Sequence, residues 1–104
     1  MIKLSVMYPN ETGVRFDMDY YVNQHLAMIR RTVGDVLKRV EVDEGLSAGA
    51  PGSEAPFRAV AHLYFESMDA FMTSFAPHAK EFSADVPNFT DLKPVRQIAS
   101  SREV

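Results

Sequence analysis

The spacing of apolar residues along this chain changes twice from every second residue to helical spacing and back. This pattern restricts the order of strands and helices that the chain can form. The clearest strand runs from Phe57 to Glu66, where every second residue is apolar. The same period predicts strands over Ile2 to Tyr8, over Val36 to Glu44 and from about Val95 to Ala99. The sequence therefore predicts four short strands.

Helical spacing follows the first and the third of these strands. Asp17 is the predicted N-cap of a first helix that ends near Val33, and Gly34 follows its last turn. Ser67 is the predicted N-cap of a second helix, which Pro77 should interrupt because proline lacks a backbone N–H donor. The apolar stripe predicted to place this second helix against the core consists of Met68, Phe71, Met72, Phe75, Ala79 and Phe82.

The predicted elements follow the order strand, helix, strand, loop, strand, helix, strand. The loop from Gly45 to Pro56 is rich in Gly, Ala, Ser and Pro, and it separates two βαβ halves. This order is that of the ferredoxin-like α+β fold, βαββαβ, with two helices on one face of a four-stranded antiparallel sheet. A length of 104 residues suits one modest core, so residues 1–104 are predicted to form a single domain.

The sheet face away from the helices is predicted to be too apolar to stay in water and too polar for a simple core. Packing two such faces across a two-fold axis would make a homodimer and enclose a cavity that one chain is too small to form. The residues predicted for this face are Ser5, Met7, Leu37, Arg39, Glu41, Val60, His62 and Tyr64.

Composition disfavours several classes of function. Without cysteine the chain has no disulfide, thiolate nucleophile or cysteine-based metal site, and its histidines lack metal-ligand spacing, so no cofactor is expected. A net charge of -3 with eleven scattered basic residues disfavours nucleic-acid binding. We recognise neither a signal peptide nor an apolar stretch long enough to span a membrane, so we expect a cytoplasmic protein without a membrane partner.

Several separated motifs occur in the order typical of a known family. They are YPN at Tyr8 to Asn10, FDMDYY at Phe16 to Tyr21, His25, HLYF at His62 to Phe65, PHA at Pro77 to Ala79 and VPNFTD at Val86 to Asp91. Through these motifs, which are spread over almost the whole chain, the sequence resembles the EthD family of the dimeric α+β barrel superfamily.

The resemblance implies a ferredoxin-like homodimer associated with the bacterial breakdown of ethyl tert-butyl ether, in which family members accompany a cytochrome P450 system. Related barrels include cofactor-independent monooxygenases of polyketide anthrones, isomerases and haem-degrading enzymes. The fold alone therefore does not choose the chemistry, and a cofactor-independent oxidoreductase is one candidate.

His25 is the first candidate catalytic residue. A neutral imidazole on the apolar stripe of the first helix can take or give a proton near pH 7. The alternative is a buried structural histidine that donates to a backbone carbonyl or to a tyrosine. The family resemblance adds weight to the catalytic role.

His62 is the second catalytic candidate, because it shares with Tyr64 the sheet face that would line the dimer cavity. The alternative is that both residues form hydrogen bonds across a subunit interface. Tyr8, Tyr21 and Tyr64 are the candidate substrate-binding residues, although Tyr8 and Tyr21 also suit the core.

Other polar residues are predicted to be structural. Arg39 and Glu41 share one side of the second strand and are expected to form an ion pair. Asp85 is predicted to be a turn residue near Pro87, and His78 a surface residue beside the helix break.

The leading hypothesis is a homodimer that binds a mostly apolar organic molecule, with His25 as acid and base and with His62 and Tyr64 orienting a carbonyl or hydroxyl. An oxygenase-type or isomerase-type step would follow. Hydrolysis is disfavoured, since there is no cysteine and no G-x-S-x-G elbow. The alternatives are a non-catalytic binding or accessory protein of a P450-linked ether degradation system, and a scaffold whose cavity is filled by side chains.

Overall fold

The computed structural model describes all 104 residues and contains one four-stranded antiparallel sheet. The strands are β1 (Ile2–Pro9), β2 (Arg39–Glu44), β3 (Phe57–Phe65) and β4 (Val95–Ser100). They lie in the order β2-β3-β1-β4, so the central strands come from different halves of the chain. This is the predicted ferredoxin-like arrangement.

The first helix is continuous but changes type along its length. It consists of α1 (Met18–Tyr20), a π-helical turn (Tyr21–Leu26) and α2 (Ala27–Val33). Asp17 is the N-cap, as predicted, and its side chain accepts a hydrogen bond of 3.0 Å from the Tyr20 backbone N–H. Gly34 ends the helix with a φ of 73°, a conformation that side chains with a Cβ rarely adopt.

The second helix is divided at Pro77, as predicted. It consists of α3 (Met68–Ser74), a 3₁₀ turn (Ala76–His78) and α4 (Ala79–Asp85), and a further 3₁₀ turn (Val86–Asn88) follows. Ser67 caps α3 by accepting a hydrogen bond of 3.1 Å from the Ala70 backbone N–H. None of the helices in the chain is long and apolar enough to cross a membrane.

A cluster of buried hydrophobic side chains joins the helices to one face of the sheet. At its centre Phe65 of β3 meets Phe71 edge to face, with ring centroids 5.5 Å apart, and Phe71 stacks on Phe75 at 5.2 Å. Phe71 and Phe75 are four residues apart and therefore occupy one side of the second helix.

Three expectations from the sequence are wrong: the burial of two methionines, the start of the second strand and the position of Leu37. Met68 and Met72 are 45% and 54% exposed, because they form a row beside the phenylalanine row and point away from the sheet. The second strand begins at Arg39, whereas Val36 belongs to a 3₁₀ turn that follows the first helix. Leu37 precedes the strand, so the alternation does not apply to it, and it is buried in the core.

The face of the sheet away from the helices, here called the open face, carries the other residues predicted for it. Strand register confirms this, since Ser5 lies opposite His62, Met7 opposite Val60, and Arg39 opposite Tyr64. The open face consists of Lys3, Ser5, Met7, Arg39, Glu41, Asp43, Val60, His62, Tyr64, Val95, Gln97 and Ala99.

Candidate active site

A cavity of about 700 Å³ lies between the helices and the β1–β4 half of the sheet. It forms because α3 packs beside β3, while β4 at the sheet edge stays largely exposed. Eleven of its sixteen lining residues are hydrophobic, as is typical of sites for small organic molecules. They are Leu4, Val6, Tyr8, His25, Ile29, Phe71, Phe75, Ala76, Ala79, Lys80, Phe82, Ser83, Val86, Arg96, Gln97 and Ile98.

The position of this cavity corrects one expectation from the sequence. One chain was expected to be too small to form a pocket, but this cavity lies within a single chain, on the helix side of the sheet. The broken second helix explains the difference, because two short segments leave part of the sheet face near β4 uncovered. The scaffold alternative concerns a cavity between the sheets of a dimer and stays a prediction.

His25 is paired with a carboxylate at the wall of the cavity. Its Nδ1 lies 2.9 Å from Asp85 Oδ2, and the two side chains are only 6% and 17% exposed. His25 belongs to the π-helical turn and Asp85 ends α4, so the pair joins the two helices. No three His, Asp or Glu side chains come together as metal ligands anywhere in the chain.

Asp85 accepts two further hydrogen bonds at its other oxygen. The Tyr20 hydroxyl donates to Asp85 Oδ1 at 2.8 Å, and the Asn88 side-chain amide donates to the same atom at 2.9 Å. Burial acts to raise the pKa of Asp85, but the hydrogen bonds from Asn88, His25 and Tyr20 outweigh burial and lower that pKa. Asp85 is therefore ionised at neutral pH and held in one orientation.

Burial lowers the pKa of His25, and the hydrogen bond and charge of Asp85 offset only part of this effect. His25 is thus neutral at pH 7. Because an ionised carboxylate only accepts hydrogen bonds, the proton is assigned to Nδ1, and Nε2 carries the lone pair. Nε2 has no hydrogen-bond partner in the protein. Because no fully buried side-chain nitrogen lacks a partner, Nε2 is accessible, and His25 lines the cavity.

Aromatic rings hold His25 in place from two sides. Its imidazole stacks on Tyr21, with ring centroids 5.7 Å apart, and lies 4.8 Å from the ring of Phe89. The π-helical turn adds a residue to this turn of the helix and so changes the direction in which the residues after it point. Such turns are frequent at functional sites, and this one carries the histidine of the cavity wall.

Tyr8 lines the cavity from the sheet and His25 lines it from the first helix, whereas Tyr21 is not a lining residue. Burial raises the pKa of Tyr8 to about 12, against a smaller opposing effect of the Arg96 charge. The Tyr8 hydroxyl is therefore protonated at neutral pH and is a hydrogen-bond donor. Tyr21 is fully buried, and its ring centroid lies 5.6 Å from that of Tyr8.

Comparison with known proteins assigns the chain to a family. The sequence model of the EthD domain family matches residues 11–93. The chain belongs to the EthD family. It is 35% identical to an EthD-like protein from Ralstonia eutropha JMP134, whose crystal structure has a TM-score of 0.88 to this chain. That match covers 94% of this chain and 88% of the Ralstonia chain.

Other solved structures share the fold of this EthD-family chain. A dimeric ferredoxin-like protein from Thermobifida fusca is 15% identical, with a TM-score of 0.62, and the match covers 96% of this chain and 90% of that one. SnoaB, a cofactor-independent oxygenase from Streptomyces nogalater, is 9% identical, with a TM-score of 0.59 and coverage of 99% and 93%. Identities this low show the fold alone. Among curated proteins, no sequence matches this chain significantly.

The structure does not bring all the predicted site residues of this EthD-family chain together. His62 lies on the open face, where Nδ1 is 2.8 Å from Ser5 Oγ and Nε2 is 3.3 Å from Asp43 Oδ2. Tyr64 lies on the same face and donates a hydrogen bond of 3.0 Å to Glu41. Within the chain the sheet therefore separates this pair from His25. A catalytic role for His62 stays a prediction.

Sequence reasoning missed Asp85 as a partner of His25. The prediction of a turn residue was wrong, because Asp85 ends α4 and holds His25. One signal was present in the sequence. A carboxylate at the C-terminal end of a helix is opposed by the helix dipole, so its occurrence there calls for another partner. The cavity residues Lys80 and Arg96 were missed too, since neither belongs to a motif.

Proposed function

We propose that this EthD-family chain binds a mostly apolar organic molecule in the cavity and transfers a proton to or from it through His25. One observation carries the proposal. A neutral histidine whose Nε2 is unpartnered and accessible lines a largely apolar cavity, while an ionised carboxylate is hydrogen-bonded to Nδ1. This is the arrangement of a general base whose orientation and conjugate acid are both stabilised by a neighbouring group.

The chemistry follows from the positions of these groups. The Tyr8 hydroxyl donates to a carbonyl or hydroxyl oxygen of the bound molecule, and His25 Nε2 takes a proton from the adjacent carbon or from a hydroxyl. Asp85 stabilises the imidazolium that forms. In an isomerase-type step His25 returns the proton to a different atom. In an oxygenase-type step at a CH₂ carbon, the resulting carbanion combines with molecular oxygen as the second substrate to form a peroxide. His25 returns its proton to the peroxide, and loss of water leaves a new carbonyl at that carbon.

Deuterium exchange tests proton removal without knowledge of the natural substrate. The probe is 2-tetralone in D₂O at pD 7.5, with loss of its C1 proton signal followed by NMR. Wild-type protein should accelerate the exchange, and His25→Gln should lower the catalysed rate by about 100-fold or more, the usual contribution of a general base. His78→Gln is the matched control, because the His78 side chain is 42% exposed, its ion pair is with Glu81, and it does not line the cavity.

The rival hypothesis is a protein that binds the same molecule without acting on it, as an accessory of an ether-degrading P450 system. Under that hypothesis 2-tetralone binds to wild type, as measured by calorimetry, but its exchange rate stays at the uncatalysed value. His25→Gln would then change the affinity alone. An unchanged exchange rate with bound probe would therefore count against catalysis and favour the accessory role.

The proposal includes a homodimer formed through the open face. That face combines half-buried apolar side chains such as Met7 and Val60 with hydrogen-bonded polar groups, which is the mixture found in subunit interfaces. The Thermobifida fusca protein of the same fold is described as dimeric. In such a dimer His62 and Tyr64 would lie between the subunits, and the two His25 cavities would lie on the outer sides of the paired sheets.

A further inference from the structure

We propose that the cavity takes an anionic substrate, an apolar ring or chain that carries a carboxylate, and that Arg96 binds this carboxylate beside His25. This inference rests on the proposed function, because both place the ligand in the same cavity. It adds the chemical class of the substrate and a residue that selects it.

The register of β4 places Arg96 on the cavity side of the sheet. Arg96 lies opposite Val6 of β1, and Ile98 lies opposite Leu4, so alternate β4 residues share the face that β1 presents to the helices. Tyr8 is two residues beyond Val6 on that same face and is the diagonal neighbour of Arg96.

The cavity has a polar and an apolar end. Arg96 and Tyr8 lie towards the end where the Tyr8 ring meets Tyr21, on which His25 stacks. Towards the other end Leu4 and Ile98 lie side by side on the sheet. A ligand with an apolar body and one polar group would therefore place that group close to Arg96 and His25.

The two charged residues that line the cavity are both cations, and the nearest carboxylate, Asp85, lies behind His25. Lys80 of α4 supplies a second cation from the helix wall, and the sixteen lining residues include no Asp or Glu. Neither Arg96 nor Lys80 takes part in any ion pair of the chain. The chain as a whole carries a net charge of -3, so this local excess of positive charge runs against its composition.

Arginine is suited to this task by its shape. The planar guanidinium presents parallel N–H donors that match the two oxygens of a carboxylate. Arg96 and His25 line the same cavity, so a carboxylate held by Arg96 would leave the apolar body of the ligand in the cavity that His25 lines. Holding the carboxylate at Arg96 would orient the ligand, so that His25 can exchange a proton with a carbon next to a carbonyl, or with a hydroxyl, elsewhere on the same molecule.

The test compares two probes that differ only in the charged group, 2-naphthoate and 2-naphthalenemethanol. Calorimetry at pH 7 and low salt should show that wild type binds the acid at least about tenfold more tightly than the alcohol, as a charge-assisted hydrogen bond predicts. Arg96→Gln should weaken binding of the acid by about tenfold and of the alcohol by less than twofold. Arg102→Gln is the control, since Arg102 is exposed beyond β4 and the charge change is the same.

Two results would overturn the inference, and they differ in what they say about the proposed function. Equal binding of acid and alcohol by wild type, or equal weakening of both by Arg96→Gln, would overturn the anionic substrate but leave the apolar ligand cavity intact. Failure of both probes to bind wild type would contradict the ligand cavity itself and this inference with it.

Discussion

Asp85 affects the tautomer and the pKa of His25 through a single hydrogen bond. The carboxylate keeps the Nδ1 proton in place and raises the pKa of an imidazole that burial lowers. These opposing effects leave a neutral base whose conjugate acid is nevertheless stabilised. Tyr20 and Asn88 hold the carboxylate from its other oxygen and so position His25 indirectly.

Replacing Asp85 with Asn should therefore change the pH profile of catalysis as well as its rate. The rate of 2-tetralone exchange should rise with pH as His25 loses its proton, with a midpoint below the ordinary value of 6.5. Asp85→Asn removes the charge that raises this pKa, so the midpoint should move to still lower pH and the plateau rate should fall at least about tenfold.

The control for this profile is Glu81→Gln, which removes a surface carboxylate that pairs with His78. Its midpoint and plateau should match those of wild type. A midpoint that stays in place or rises in Asp85→Asn would contradict the role given to Asp85, even if the rate falls. NMR titration of the His25 imidazole signals gives the same pKa directly.

The bounds of some elements of this fold can be predicted from the sequence more closely than those of others. Strand β3 was predicted to within a residue, because its alternation extends over the whole strand and both ends carry turn signals. The start of the second strand was not predicted correctly. Val36 and Leu37 fit the alternation of a strand by coincidence, while the backbone there forms a 3₁₀ turn. The π-helical turn leaves no mark in the sequence that single-residue preferences would reveal.

Gly45 fixes how the loop after β2 returns to β3, and its substitution tests that element. A Cβ at this position would collide with the Phe57 backbone oxygen and the Ala55 side chain, while the Gly45 N–H donates to the Arg58 backbone oxygen at 3.0 Å. Gly45→Ala should lower the free energy of unfolding by about 1–3 kcal/mol, the usual cost of overpacking. Urea denaturation followed by circular dichroism measures this change.

Leu46→Ala is the matched control for the loop, because Leu46 is 90% exposed and its loss should change stability by less than about 0.5 kcal/mol. Equal stability of Gly45→Ala and wild type would mean that the hairpin end adapts to a methyl group at no cost. The close approach would then not explain why glycine occupies this position.

At the scale of the molecule, the fold was predictable because each element carries its own local pattern, whereas the site depends on how those elements pack. His25 and Asp85 are 60 residues apart and meet only because the two helices lie side by side. The cavity arises from the uncovered face near β4, which no local pattern encodes. His62 and Tyr64 were correctly assigned to the open face, and their distance from His25 follows from the thickness of the sheet.

The open face makes the oligomeric state testable apart from catalysis. Val60 lies near the middle of this face, opposite Met7 on β1 and Asp43 on β2. Val60→Asp would place an unpaired carboxylate in the interface, next to Asp43, so two packed sheets would each bury repelling charges. We expect the variant to be a monomer of 11.7 kDa and the wild type to have twice that mass in light scattering after gel filtration.

Val22→Asp is the control for this experiment, because Val22 is exposed on the first helix, away from the open face. It adds the same charge and should leave the dimer intact. A monomeric wild type, or a Val60→Asp variant that stays dimeric, would contradict an interface at the open face. Because each cavity lies within one chain, a folded Val60→Asp monomer should retain the 2-tetralone exchange activity, which separates assembly from the chemistry of His25.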